Sequence, residues 1–380
     1  MVDSVRGALQ IGLDARSLNV AHMRGMGNYL TGVISHLGQR RDISWSFFSN
    51  RPDLPFQRPP GTADSPTYLF DCPGSRFQVW EQAALPAQAW HHKVDVLHCP
   101  HSSLPLWQPV PTVVTLHDTI LWEGEEAPHS IYLDRLLPRA FARCAALITP
   151  SNHSRADILR LWPRLSDKLF VVPHGIDACF LDIAPAPLDR DLTGLGVTEP
   201  YLVYCGGLLP RKRLAWAIEI FEAIAAPDLQ LVICGVPEER HADYALELKP
   251  ATSARVRLLP YIAVSAMARL FQNAAAVLYP TLYEGFGFPA IEAQAVGTPI
   301  LFSPVSSLRE LAGPGARCFE PDDRRGWIEL CSRLVSEHRA GRAPDPEARR
   351  WARRFSWEEA ALRHLQIYQA AAARIRPLGR

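Results

Sequence analysis

The sequence predicts an α/β protein built from two Rossmann-like, doubly wound domains. Three observations predict it. Short β-rich runs alternate with helical stretches, most of the runs are apolar throughout and end in Gly, Pro, Ser, His or Asp, and the alternation pauses once near mid-chain. A run that is apolar at every position suits a parallel strand covered on both faces. Strands alternating with helices build doubly wound sheets. The chain has 380 residues, above the ~100–200 of one domain, so two domains are expected.

The first-half runs are QIGLDAR, ISWSFFS, VDVLHCP, TVVTLHD, ALITPS and LFVVPHGI; those of the second half are YLVYCGG, LQLVICG, VRLLPY, AAVLYPT and PILFSP. Between them lie amphipathic stretches such as RLAWAIEIFEAI, with Leu214, Ala217, Ile218, Phe221 and Ile224 on one stripe. The pause, LDIAPAPLDRDLTGLGV at 181–197, is rich in Pro, Asp and Gly and reads as the interdomain linker. The final stretch opens with Ser356, a good N-cap, and reads as a long helix over 357–380. The expected domains are thus 1–182, joined by helix 357–380, and 191–356.

With 48% hydrophobic and 21% charged residues, the composition argues against long disorder. A net charge of +1 gives no overall field for nucleic acid, so any anion site must be local. The eight cysteines form no C-x-x-C pair, which suggests a reducing, cytoplasmic compartment and no structural zinc. MVDSVRGALQIGLDAR lacks the apolar core of a signal peptide, and no run reaches the ~18 apolar residues of a membrane span.

Ligands of open α/β sheets bind beyond the carboxyl ends of the strands, so the residues after each run carry the chemistry. The richest stretch is PTLYEGFGFPAIEAQAVGTPI, residues 280–300. A strand ends at Pro280, a turn of Glu284, Gly285, Phe286 and Gly287 follows, and a helix runs from Pro289 through Glu292. Backbone N–H groups there suit a polar or anionic group, and two carboxylates can hold hydroxyls at two points of one ligand. The other reading is a plain strand–turn–helix corner with solvated glutamates. In YCGGLLPRKRLAWAIEIF, Gly206 and Gly207 end a strand, and Arg211, Lys212 and Arg213 are expected in the first turn of a helix. That is the wrong helix end for cations, a conflict that a bound diphosphate removes; the alternative is that all three extend into water.

Two stretches of the first half are less specific. His117 and Asp118 end the strand of TLHDTILW, where a His can bond a substrate or shuttle a proton, or be a structural His capped by Asp. In LDARSLNVAHMRGMGNYL a Gly25–Gly27 loop leads into a helix starting near Asn28, but the dinucleotide fingerprint is incomplete, which counts against a nicotinamide dehydrogenase. VVPHGID, with His174, Gly175 and Asp177, reads as a turn entering the linker.

These segments, in this order, resemble the family 4 retaining glycosyltransferases of GT-B fold, over nearly the whole chain. YEGFGFPAIEAQAVGTP is similar to the family's Glu-x7-Glu segment, GGLLPRKRL to its phosphate loop, and VPHGID to the segment before the interdomain crossing; TLHD and GMGNY fit its N-terminal half. The resemblance implies two domains about a cleft and a donor site. In it Lys212, assisted by Arg211, holds the diphosphate, Glu292 the ribose, and Glu284 the donor sugar. The N–H groups of Phe286, Gly287 and Phe288 would line the sugar, Gly206 and Gly207 the phosphates, and the backbone near Tyr261 the base. His117 would lie beside sugar and acceptor, and Gly27 would touch the diphosphate. Many members carry an Arg where this chain has Gly207, which leaves open the second cation of the phosphate clamp.

The implied activity is transfer of a hexose-type sugar, with retention and without metal or cofactor, from a UDP- or GDP-sugar to a glycan or lipid-linked acceptor of surface polysaccharide or lipopolysaccharide. A nucleotide-sugar epimerase of the same fold and a non-catalytic nucleotide-sugar-binding protein are the alternatives. Arg135, Arg139 and Arg143 fall four apart on one helical stripe, open both to a peripheral contact with the inner face of a membrane and to a solvated basic face.

Overall fold

The computed structural model describes residues 7–23, 25–72, 78–123, 130–188, 190–241 and 248–373. The chain divides into two compact units, Met1–Gly175 with Ser356–Arg380, and Ile176–Phe355.

Unit 1 holds a seven-stranded sheet, β1 (Leu9–Asp14), β2 (Ile43–Ser49), β3 (Thr67–Leu69), β4 (Val96–Cys99), β5 (Thr112–Thr115), β6 (Ala146–Thr149) and β7 (Leu169–Val171), in the order β3-β2-β1-β4-β5-β6-β7. Every pairing is parallel. The central strands β4, β5 and β6 are buried at every position, as continuously apolar runs require. The helix Trp357–Ala373 packs against the helix Gly25–Leu37. Ser356 caps it, its hydroxyl accepting the Glu359 N–H at 3.3 Å. A Cβ on Gly32 would fall 2.3 Å from the Trp357 ring, so the helices approach closely only because residue 32 lacks one. Positions 374–380 of the expected helix lie outside the described residues.

Unit 2 holds a six-stranded, wholly parallel sheet, β8 (Tyr201–Tyr204), β9 (Gln230–Cys234), β10 (Val256–Leu259), β11 (Ala276–Tyr279), β12 (Ile300–Phe302) and β13 (Ala316–Cys318), in the order β10-β9-β8-β11-β12-β13. In each unit the strand order reverses beside the first strand, between β1 and β4 and between β8 and β11. These are the topological switch points, where neighbouring loops part and leave a crevice at the carboxyl ends of the strands.

The structure corrects the expected domain boundary and adds two strands. The linker expected over 181–197 belongs to unit 2, because Ile176, Phe180, Leu192 and Val197 are all buried in that unit's core. The chain therefore changes units at Gly175, and residues 178–181 and 190–194 form short helices beyond it. Two strands, β3 and β13, were not foreseen. Each lies at a sheet edge, has no fully buried position and so carries no continuous apolar run to mark it.

Candidate functional site

The switch point of unit 2 gathers the loop after β8 and the loop after β11. After β8, the Tyr204 hydroxyl is shared between the carbonyls of Gly207 (2.7 Å) and Lys212 (3.0 Å), which folds the chain back on its own strand. A Cβ on Gly206 would lie 2.7 Å from that hydroxyl. Gly207 takes φ +84°, a left-handed conformation that an Arg adopts only at a cost.

The helix expected near Pro210 begins four residues later. Pro210–Lys212 is a single 3-10 turn, Arg213 stands at φ +55°, and the helix proper is Leu214–Ala223. The three cations therefore do not occupy its first turn, and the expected conflict with its dipole does not arise. They diverge instead. Arg213 pairs with Asp322 at 2.7 Å and lies over the Trp216 ring. Arg211 and Lys212 turn toward the loop after β11: Arg211 Nη1 donates to the Tyr283 carbonyl at 2.6 Å and lies 3.7 Å from Glu284 Oε2, and Lys212 Nζ pairs with Glu284 Oε1.

Glu284 is 8% exposed and held from several sides. The hydroxyl of buried Tyr279, at the end of β11, donates to Oε1 at 2.7 Å. The Glu284 N–H donates to Ser306 Oγ at 2.9 Å, and the Ser307 hydroxyl is shared between the carbonyls of Glu284 (2.8 Å) and Phe286 (2.6 Å). Gly287 is required twice over. Its φ is +112°, and a Cβ would meet Leu308 Cδ2 at 2.5 Å. The helix Phe288–Val296 follows, with Pro289 in its first turn and Gly297 ending it at φ +80°.

One turn along that helix Glu292 is partly buried. Burial, and then the charge of Asp177, push its carboxyl up to about 8, so at neutral pH it is largely protonated and can donate as well as accept. Burial foremost, then the charge of Glu284, raises the Tyr279 phenol well above its usual range, so it acts as a donor. Phe286 is buried and Phe288 partly so, and Tyr261, two residues past β10, packs toward Gly235 at the end of β9.

Lys212, Arg211 and Glu284 thus meet directly beside Gly206 and Gly207. Glu292 stands on the helix that the same loop launches. Tyr279, Ser306, Ser307 and Asp177 escaped sequence reasoning as site residues. Tyr279 read as a strand residue, and nothing in spacing links a serine pair to a loop some 20 positions upstream.

Gly27 and His117 lie in unit 1. A Cβ on Gly27 would fall 2.4 Å from Met23 Sδ and 2.8 Å from the Ser17 carbonyl oxygen, so packing requires this glycine. The helix there starts at Gly25 rather than near Asn28. His117 Nε2 donates to the Pro100 carbonyl at 2.9 Å, which places the proton of a neutral ring on Nε2. Its ring packs edge-on against Tyr29, centroids 5.3 Å apart. All eight cysteines are free thiols. Among the described residues no helix is long and apolar enough to cross a membrane, and no group of three or more His, Cys, Asp or Glu is arranged to hold a metal ion.

Two wholly parallel α/β units, each with its switch point, make up the architecture of the GT-B class. The chain belongs to the glycosyltransferases: the family described as Glycosyl transferases group 1 matches residues 187–351 and that described as Glycosyltransferase Family 4 matches residues 23–179. It is 23% identical over 293 residues to the O-antigen chain mannosyltransferase B of Escherichia coli, covering 74% of this chain and 77% of that protein. The fold is that of GT-B glycosyltransferases. A sucrose-phosphate synthase from Thermosynechococcus elongatus superposes with a TM-score of 0.75 at 19% identity, over 97% of this chain and 100% of that one. Anabaena Alr3699/HepE, solved in complex with UDP and glucose, gives 0.71 at 18% identity, over 95% and 100%.

Proposed function

We propose that this glycosyltransferase moves a hexose-type sugar from a nucleotide-diphosphate donor, a UDP- or GDP-sugar, to a glycan or lipid-linked acceptor in surface polysaccharide or lipopolysaccharide synthesis. The observation that carries the reading is the convergence of Lys212, Arg211 and Glu284 at the switch point of unit 2, with Glu292 on the following helix. The mannosyltransferase relative and the UDP of a structural neighbour support it.

In this reading Lys212 and Arg211 take the diphosphate. Arg211 supplies the second cation that Gly207 cannot, since it already stands beside Glu284. As the sugar–phosphate bond breaks, the leaving diphosphate gains negative charge, and fixed cations stabilise that charge without reorganisation. Glu284 faces the donor sugar and Glu292 the ribose; the N–H groups of Phe286, Gly287 and Phe288 line the sugar, and Tyr261 marks the base. The transfer is retaining and metal-independent, by displacement on the same face, with the departing phosphate oxygen taking the acceptor's proton. His117, its Nε2–H committed to Pro100, contributes by position and hydrogen bonding beside sugar and acceptor. The enzyme works in the cytoplasm, at the inner face of the membrane, through the exposed Arg135, Arg139 and Arg143.

The test is a panel of nucleotide sugars with nucleotide release measured with and without acceptor, on wild type, Lys212→Ala and Glu284→Ala. Both variants are expected to stay folded and lose turnover, with UDP or GDP affinity weakened chiefly by Lys212→Ala. Full activity in either variant overturns the assignment. Consumption of donor without acceptor or nucleotide release identifies an epimerase, and binding without turnover a non-catalytic protein.

A further inference from the structure

The strand β11 ends in a tyrosine where an apolar residue would fill the same space. Tyr279 is 3% exposed and lies in the core of unit 2. A phenylalanine would pack there with no polar atom to satisfy, whereas a buried phenol must find a partner. Among the described residues the Tyr279 hydroxyl makes one hydrogen bond, donated to Glu284 Oε1 at 2.7 Å. The hydroxyl is thus aimed at the one carboxylate that Lys212 also holds. The Lys212 ammonium lies 5.8 Å from the centroid of the Tyr279 ring, so the tyrosine borders both halves of the ion pair.

The two oxygens of Glu284 are unequally used. Oε1 accepts from Tyr279 and pairs with Lys212 Nζ. Oε2 makes no hydrogen bond among the described residues. Arg211 Nη1 stands 3.7 Å from it and donates instead to the Tyr283 carbonyl at 2.6 Å. Oε1 is therefore the anchored oxygen, and Oε2 is the one left for a ligand hydroxyl. The phenol itself is firmly seated. Tyr279 pairs with Phe302 of β12, and a Cβ on Gly287 would come within 3.6 Å of its ring, so the ring fits between the sheet and the glycine turn.

On the glycosyltransferase reading above, on which this inference rests, Lys212 and Arg211 go to the diphosphate. Glu284 is 8% exposed. A buried carboxylate that loses its last donor bears the full cost of its desolvation. With the Tyr279 hydroxyl present, Oε1 keeps one charge-assisted hydrogen bond when the ammonium leaves. Without that hydroxyl, Lys212 is the only hydrogen-bond donor to the carboxylate among the described residues, and glutamate and diphosphate compete for it.

We propose that Tyr279 is a positioning residue of the donor site: its hydroxyl holds Glu284 by Oε1, leaving Oε2 for the donor sugar, while Lys212 passes from the carboxylate to the diphosphate. The test is a double-mutant cycle of wild type, Tyr279→Phe, Glu284→Ala and the double variant, read by isothermal titration of UDP and GDP. Tyr279→Phe keeps the ring and removes only the hydroxyl. It should weaken binding of the nucleotide that wild type takes by at least about ten-fold, the worth of one hydrogen bond to a buried charge. Glu284→Ala has no carboxylate to strand, so there the same change should alter affinity by less than about two-fold. Glu284→Gln, which keeps the shape and removes the charge, should cut the penalty to about three-fold or less, and decides the matter if Glu284→Ala does not fold. A phenol that only stabilises the fold would change affinity equally with and without the carboxylate. Equal penalties in the two backgrounds, or a Tyr279→Phe affinity within about two-fold of wild type, overturn the proposal. Lys212→Ala separates it from the reading on which it rests. Wild-type affinity in Lys212→Ala, or no binding of either nucleotide by wild type, overturns the donor site and the tyrosine's role together. A weakened Lys212→Ala beside an unaffected Tyr279→Phe overturns the tyrosine's role alone.

Discussion

Glu292 offers a quantitative test of the donor site. Its carboxyl is pushed up to about 8 by burial and by Asp177. Two ribose hydroxyls are donors, and a carboxylate accepts both better than a carboxylic acid does, so nucleotide binding must first remove the proton. With a free-state value of about 8, the apparent dissociation constant carries a factor of one plus the ratio of protonated to ionised form. That factor is about 11 at pH 7 and about 1.3 at pH 8.5, an improvement of about eight-fold, or ~1.2 kcal/mol. The sign follows from the direction of the shift: a raised acid hinders binding below its own value and ceases to hinder above it. Isothermal titration with UDP, or with GDP if that is the nucleotide taken, should show the gain between those pH values, together with release of about 0.9 proton at pH 7 read from buffers of different ionisation enthalpy. Glu292→Gln has no proton to lose, so its affinity should be flat over the same range. A flat wild-type profile, or the same slope in Glu292→Gln, would refute the placement of Glu292 against the ribose.

Three further outcomes follow from packing and burial. His364 is fully buried, donates from Nδ1 to the Ala360 carbonyl at 2.7 Å and accepts the Tyr29 hydroxyl at 2.7 Å, and burial lowers its value from 6.5 to about 4. A lowered histidine leaves stability intact above 6.5 and removes it as pH falls toward 4, by up to about 3 kcal/mol; urea melts from pH 7.5 to 4.5 should show a shallower acid loss in His364→Gln, and parallel curves would contradict the shift. Gly27→Ala places a Cβ 2.8 Å from the Ser17 carbonyl oxygen, which should cost about 1–3 kcal/mol in the same melts; an unchanged melting curve would show that packing does not demand this glycine. Ser307→Ala leaves two carbonyls of the Glu284 loop short of a donor, so a loss of about 1–3 kcal/mol is expected, with turnover falling because the loop is less well held; wild-type stability would show that the hydroxyl is dispensable.

What was legible in the sequence divides by the range of the signal. The central strands were readable because parallel strands covered on both faces need an apolar side chain at every position, and a run such as LQLVICG announces that by itself. The corner after β11 was readable because its demands are local: a glycine that must take φ +112°, a proline suited to the first helical turn, and carboxylates at fixed offsets. The edge strands β3 and β13 were not, since their segments TYL and ARC are only half-buried and carry no continuous apolar run. Nor was the start of the helix at Leu214, because nothing in PRKRL marks Arg213 as the residue that turns left-handed at φ +55°. Least legible were contacts between distant positions. His101, just beyond β4, reaches Asp14 at the end of β1 at 3.2 Å only because those strands are neighbours in the sheet.

In the proposed donor site the carboxylate of Glu284 is the more firmly held of the two ion-pair partners. Lys212 and Glu284 form an ion pair, so on the proposed reading a diphosphate has to take the lysine from the glutamate. Glu284 keeps the Tyr279 hydroxyl on Oε1, its N–H on Ser306 and its carbonyl on Ser307. All three partners are anchored in the sheet or in the 3-10 turn Ser306–Leu311. Lys212 reaches the carboxylate on a four-carbon stem that rises from a short turn. The ammonium is therefore the mobile partner and the carboxylate the fixed one. On the proposed reading the Tyr279 hydroxyl stays on Glu284 Oε1 when the lysine turns to the diphosphate, so the buried carboxylate is not left without a donor.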